Sequence, residues 1–196
     1  MSQQNDTHLV LKAQDGDVAA FEQLIGRYQG RLFRTSYMVL GNRQDSEDVV
    51  QETLIQAWRR LHLLREPAAF RGWLLKICTN QATSTIRRHS SHGTDPHDPT
   101  NFEELAGQKG TSVHAGSAGS NQADPARTSE VNAQIMALAD VLSTVSPELR
   151  ACWALREVES MSYKEIAQTL NITESTARGR IARARTLIMQ RMEEWK

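Results

Sequence analysis

Arg178, Arg180, Arg183 and Arg185 crowd one short stretch, with no acid between Thr176 and Arg185. Guanidinium forks at this density suit phosphate oxygens and guanine edges, which accept two parallel N–H donors at once. Thr173, Ser175 and Thr176 stand just ahead of them. At a helix start, such hydroxyls and the free backbone N–H groups also meet a phosphate. Just upstream, Ser162-Tyr163-Lys164-Glu165 reads as a capping box opening a short helix. A tight turn at Asn171-Ile172 follows, and a second helix starts at Thr173. Ile166, Leu170, Ile172 and Ile181 are placed to pack the pair, and small Ala167 and Ala177 permit a close crossing. This is the pattern of a helix-turn-helix. Glycine is favoured at its turn; here Asn171 supplies the left-handed conformation. A solvated basic face is the plain alternative. Cap, turn, packing set and arginines occurring together favour duplex DNA binding.

A second stretch, "FRGWLLKICTN" from Phe70 to Asn80, leads to Thr83, Arg87 and Arg88. Aromatics interleaved with basic and amide side chains can stack on unpaired bases while the cations hold the backbone. Taken by themselves, Phe70 and Trp73 at a spacing of three suit a core better. A third stretch, Asp45-Ser46-Glu47-Asp48-Val49-Val50-Gln51-Glu52, leads to Trp58. Acids there complement a helix dipole, or form a protein-docking face; they do not invite DNA.

The elements that position these groups read as helices throughout, with no alternating strand and no Asn-Gly hairpin. Asp17 is an N-cap for a helix carrying Val18, Phe21, Leu24, Ile25, Tyr28 and Leu32 at helical spacing. Gly41 stops it. Asp45 caps the next helix, whose apolar face holds Val49, Leu54, Ile55, Trp58 and Leu61. Pro67 suits the first turn of another, with Phe70, Trp73, Leu74, Ile77 and Cys78 on its apolar side. Ser129 is placed to cap a helix through Leu142, Ser146-Pro147 starts a further one, and Thr173 caps the last.

The stretch 89–128 differs. It holds 5 of the 11 Gly, 3 of the 5 Pro and 4 of the 6 His, and only Phe102, Leu105 and Val113 are large and apolar. Such a segment buries too little surface to offset its ordering entropy. A flexible linker is expected, dividing the chain into units 1–88 and 129–196. Of the 196 residues, 23 are Lys or Arg and 23 are Asp or Glu. That balance hides a basic first unit (12 cations, 9 acids), an acidic linker (2 and 5) and a neutral last unit (9 and 9).

No apolar run approaches the roughly 20 residues a membrane helix needs, and the N-terminus lacks a signal-peptide pattern. A cytoplasmic protein without membrane insertion is expected. The nucleotide and hydrolase signatures G-x-x-x-x-G-K-[ST], G-x-G-x-x-G, G-x-S-x-G and H-E-x-x-H are absent. No enzyme, cofactor or small-molecule substrate is expected. His89, His92, His97 and His114 lack regular ligand spacing, so no metal site is expected. Cys78 and Cys152 read as small buried hydrophobes; a redox link between the two units is the sharper alternative.

Taken in order, these segments resemble a sigma factor of the sigma-70 family, and most of all its small extracytoplasmic-function (ECF) group. The matching stretches are "GDVAAFEQLIGRYQGRLFR" (16–34), "DSEDVVQETLIQAWRRL" (45–61), "FRGWLLKICTNQATSTIRR" (70–88) and the region 142–188. The resemblance implies an all-α fold of two small helical domains, sigma region 2 (1–88) and region 4 (129–196), joined by the linker. It implies that Asp48, Val49, Gln51, Glu52 and Trp58 dock on the clamp of core RNA polymerase. Arg65, Phe70, Trp73, Lys76, Asn80, Thr83, Arg87 and Arg88 would melt and read the −10 strand. Thr173, Ser175, Thr176, Arg178, Arg180 and Arg183 would read the −35 element, with the outer surface of that domain on the polymerase flap. The implied partners are core polymerase, promoter DNA and an anti-sigma protein, and the implied role is transcription initiation at a stress regulon. An ordinary helix-turn-helix regulator is the competing reading, and it leaves the acidic and the aromatic-basic helices unexplained.

Overall fold

The structure, a computed structural model, describes residues 2–92 and 138–193, with side chains over 5–89 and 138–192. Every regular element among them is helical. The order is α1 (Ser2–Gln14), α2 (Val18–Leu40), α3 (Arg43–Arg60), two 3-10 turns (Leu61–Leu63 and Pro67–Ala69), α4 (Phe70–His92), helical residues 138–143, α5 (Pro147–Glu157), α6 (Tyr163–Leu170) and α7 (Glu174–Glu193). The cap expected at Ser129, and the stretch 93–128 of the expected linker, lie outside the described residues.

Helix α2 is the hub. The Asp17 side chain accepts from the Ala20 N–H at 3.0 Å, which satisfies an orphan donor of the first turn. Gly41 ends the helix at φ +71, where a side chain would be strained, and donates its N–H to the Tyr37 carbonyl at 2.8 Å. Between them Phe21, Leu24, Tyr28, Leu32, Met38 and Val39 are buried. The helix packs against α1, α3 and α4, and also against α5 of the C-terminal half.

Helix α3 starts earlier than the sequence suggests. Asn42, not Asp45, is the N-cap: its side-chain oxygen accepts from the Asp45 N–H at 3.0 Å. Asp45 then sits in the first turn, where its charge still complements the helix dipole. The buried face is also rotated. Ser46, Val49, Val50, Thr53 and Ala57 face inward, because small residues let α3 approach its neighbours closely. Ile55 and Trp58, expected on the apolar side, point outward.

Helix α1 was not legible in the pattern of the chain. It buries only Leu9, Val10 and Ala13. Its polar groups hold it in place. Tyr28 donates to Asp6 at 2.7 Å, and Gln14 Nε2 donates to the carbonyls of Leu61 (2.9 Å) and Leu64 (2.7 Å), pinning the 3-10 connection before α4.

In the C-terminal half, Leu142, Leu155, Ile166 and Ile181 are fully buried. Ser146 occupies the N-cap of α5 with Pro147 at the first helical position. Ser160, between α5 and α6, has φ +53, which costs an L residue roughly 1–2 kcal/mol. Ser160→Gly is expected to raise stability by about 0.5–1 kcal/mol after the extra unfolded-state entropy of glycine. The urea midpoint should rise; an unchanged or lower midpoint would show that the serine is not strained.

Candidate nucleic-acid interface

The turn between α6 and α7 is built as the sequence implies. The Ser162 hydroxyl accepts from the Glu165 N–H at 3.2 Å, and Glu165 accepts from the Ser162 N–H at 2.7 Å. Hydrogen bonding from the Ser162 side chain, and then from its backbone N–H, lowers the Glu165 carboxyl pKa. Asn171 takes the left-handed conformation at φ +55. Thr173 accepts from the Thr176 N–H at 3.1 Å and caps α7. Ala177, Ile181, Ala184 and Ile188 form the buried stripe of α7, and Ile166 and Ala167 meet them from α6.

That packing turns the polar groups out. Thr173, Ser175, Thr176, Arg178 and Arg183 are exposed and Arg180 is half-buried. Two arginines already hold partners. Arg178 donates to Glu174 at 2.6 Å and lies over the Tyr163 ring, 5.2 Å from its centroid. Arg185 donates to Glu157 at 2.6 Å. Both pairs are exposed and weak, and a phosphate can replace either carboxylate at small cost.

On α4, Trp73, Lys76, Asn80, Thr83 and Arg87 recur at alternating spacings of three and four and so share one stripe. Asn80 is exposed; Trp73, Lys76 and Thr83 are half-buried. Thr83 spends its hydroxyl on the carbonyls of Thr79 (2.9 Å) and Asn80 (3.1 Å). Arg65 and Arg88 are exposed, and Arg88 donates to the Thr85 hydroxyl at 3.2 Å. Phe70 is different. At 2% exposure it packs edge-on against Tyr28, with ring centroids 5.5 Å apart. It is a core residue, and the expectation that it touches DNA is corrected.

The docking face on α3 needs one similar correction. Asp48, Gln51 and Glu52 are exposed, but Val49 is 4% exposed and belongs to the core. Ile55 takes its place on the surface at 45% exposure, between Gln51 and Trp58, itself 39% exposed. Trp58 leans on Phe21 at 4.9 Å. The spacing 51, 55, 58 could have revealed Ile55 as a surface residue; its apolar character hid it. A cleft of about 500 Å³ runs beside this face, lined by Asp45, Asp48, Glu52, Arg88 and His89.

Two further acids, unremarked in the sequence, sit against α4. Glu148 of α5 accepts from Arg87 at 3.0 Å. That bond, with Arg180 contributing, lowers the Glu148 carboxyl pKa. Glu159 is buried against Arg71 at 3.2 Å.

Cys78 and Cys152 are free thiols and fully buried. Burial pushes Cys78 up to about 12 and also raises Cys152. Burial thus disfavours the reactive thiolate at both sites, which does not suit a redox sensor. Neither should react with a thiol reagent in the native protein within minutes, and both should react in urea. Fast native labelling would revive the redox link.

No group of three or more His, Cys, Asp or Glu among the described residues is placed to hold a metal ion; the side chain of His92, and His97 and His114, lie outside them. No helix among them is long and apolar enough to cross a membrane.

Known proteins share this arrangement. The chain matches the family models for Sigma-70 region 2 over residues 24–92 and Sigma-70, region 4 over residues 135–188. The ECF RNA polymerase sigma-E factor of Salmonella typhimurium is 33% identical over 200 residues, covering 98% of this chain and 97% of that protein. The sigma-E factor of Haemophilus influenzae is 29% identical over 194 residues, covering 97% of each. CnrH, solved in complex with the cytosolic domain of CnrY, aligns with a TM-score of 0.69 at 23% identity, over 97% of this chain and 98% of that one. The sigma factor RpoE of Bartonella quintana, solved with the anti-sigma factor NepR, aligns with a TM-score of 0.64 at 19% identity, over 90% of this chain and 98% of that one.

The fold and its two matched regions define a transcription initiation factor rather than an enzyme. The chain belongs to the sigma-70 family of RNA polymerase sigma factors, in its ECF group. Like the family, it acts with RNA polymerase in initiation.

Proposed function

We propose that this sigma factor divides its task among three helices. Asp48, Gln51, Glu52, Ile55 and Trp58 on α3 dock on the polymerase clamp. Trp73, Lys76, Asn80 and Thr83 on α4, with Arg65, Arg87 and Arg88, engage the −10 strand, where a stacking ring and cations suit unpaired bases. Thr173, Ser175, Thr176, Arg178, Arg180 and Arg183 on α7 read the −35 duplex from the major groove. The observation that carries this reading is the segregation of chemistry: acidic-apolar, aromatic-basic and hydroxyl-arginine groups each keep to their own helix.

Further features follow from the relatives. Two similar folds were solved with the cytosolic domain of CnrY and with NepR. A protein partner of the anti-sigma kind is therefore proposed for this chain. The stress regulon and the cytoplasmic location belong to the same proposal.

The test is promoter selection. Holoenzyme reconstituted with this chain should enrich a random duplex library in two short motifs at one fixed spacing. A single motif, or a palindrome, would point to an ordinary helix-turn-helix regulator instead.

A further inference from the structure

Donors from two helices of the N-terminal half converge on one point. Arg31 and Thr35 come from α2, and Arg71 comes from the first turn of α4. A carboxylate of the C-terminal half fills the point: Glu159, between α5 and α6, with a side chain 1% exposed. Its Oε1 accepts from the Thr35 hydroxyl at 3.2 Å. Its Oε2 accepts from Arg71 Nη2 at 3.2 Å, and Arg31 Nε lies 3.9 Å away. Arg71 Nη2 also donates to the Glu159 carbonyl.

The carboxylate fills this socket incompletely. Arg71 Nε is buried and has no acceptor. Arg31 Nε stands beyond hydrogen-bond distance. A guanidinium edge is built to hand two parallel N–H groups to one anion, and here half of that edge is idle. A phosphodiester is tetrahedral and adds two ester oxygens to its two charged ones. It can meet Thr35, the Nε–Nη2 edge of Arg71 and Arg31 together, which a flat carboxylate does not.

The socket is also in the right place for a nucleic-acid backbone. Arg71 lines one cleft with Gly72, Trp73 and Lys76, so the socket runs directly into the aromatic-basic stripe of α4. Even beside Glu159, the side chains of Arg31 and Arg71 are 44% and 28% exposed. Without Glu159 the socket holds two cations and a Thr35 hydroxyl with no acid between them. Donors so gathered favour an anion, because leaving them unmatched is costly.

We propose that Arg31, Thr35 and Arg71 form a phosphate socket that grips one backbone phosphate of the −10 strand, with Glu159 as the stand-in anion of the free protein. The inference rests on the reading in which α4 meets the −10 strand and Glu159 moves away with α6. It adds α2 to the DNA-contacting surface. A phosphate contact of this kind fixes the register of the strand over Trp73 and carries no base preference of its own.

The test pairs a change in the protein with a change in the strand. Holoenzyme is bound to a premelted promoter of its selected sequence, with one methylphosphonate linkage placed in turn along the −10 strand. Each such linkage removes one backbone charge. In the parent, one linkage at or beside the −10 motif should weaken binding at least about tenfold through the socket. Arg31→Ala/Arg71→Ala should weaken binding to the unmodified strand by a similar factor and make that linkage indifferent, leaving the other sensitive linkages as they were. Its salt slope should fall by about 0.7, the value for one phosphate on a single strand. Arg71→Lys, which keeps the charge and loses the fork, should retain part of the sensitivity. Glu159→Gln leaves the donors in place and should show the same sensitive linkage as the parent. Co-elution of each variant with core polymerase reports that it is folded.

A merely structural role for the two arginines would weaken binding without cancelling any single linkage, and that result overturns the socket. If Lys76→Ala meanwhile cancels a linkage of its own, the −10 reading stands and the socket alone fails. A parent holoenzyme that selects no −10 motif overturns the reading on which the socket rests, and the socket with it.

Discussion

Ile181→Ala should cost roughly 2–5 kcal/mol, the usual range for emptying a buried isoleucine site. Ile181 is 1% exposed and lies in the buried stripe of α7, where α6 and α5 converge. The described C-terminal half is residues 138–193, and a unit of that size commands only about 3–8 kcal/mol in total. One cavity therefore removes a large share of what holds the helix-turn-helix. Amide exchange in α6 and α7 should accelerate by at least about 30-fold. Exchange in the α2 and α4 core should change much less. Ile181→Val, which removes one methylene, should cost about 0.5–1.5 kcal/mol. Equal acceleration in both halves would show that they unfold as one unit; no acceleration would place Ile181 outside the core.

Arg178→Ala/Arg183→Ala should do the reverse, sparing the fold and removing binding. Both side chains are exposed, and the Arg178 pair with Glu174 is an i,i+4 contact worth about 0.3–0.5 kcal/mol. In the proposed reading each guanidinium meets a phosphate or a base edge on DNA. Two such losses should weaken holoenzyme binding to its selected −35 duplex at least about 30-fold. If both touch phosphates, the salt slope should also fall by about 1.8. Lysine at position 178 separates the two roles. It keeps a phosphate contact but loses a bidentate base contact. An unchanged slope with weaker binding assigns both arginines to bases. Unchanged binding would remove α7 from the −35 reading.

The helix-turn-helix was legible because every signal in it is local. The Ser162–Glu165 box, the left-handed Asn171 and the Thr173 cap each involve residues at most four apart. The apolar stripe needs only helical periodicity. Helix α3 was legible as a helix but not in its rotation. Its core face is made of Ser46, Thr53 and Ala57 as well as valines, and hydrophobicity alone favours Ile55 and Trp58 instead. Close helix packing selects small side chains over apolar ones there. Helix α1 was missed because its opening is polar and its few apolar residues gain burial only against the rest of the bundle.

Part of the site was hidden for a stronger reason. Phe70 and Trp73 are indistinguishable by type and spacing, yet one packs on Tyr28 and the other borders a cleft. The Glu159 socket has no sequence signature. Its partners Arg71 and Thr35 are 88 and 124 residues away along the chain. An acid in a turn reads as solvated until the fold brings two arginines to it.

The central claim is that this chain is a sigma factor, and the most direct measurement is its binding to core RNA polymerase without DNA. The folded, partner-free protein is mixed with core enzyme and passed through a size-exclusion column. The account predicts one-to-one co-elution, weakened by Ile55→Ala/Trp58→Ala. A folded protein that elutes separately from core enzyme at micromolar concentration would contradict it.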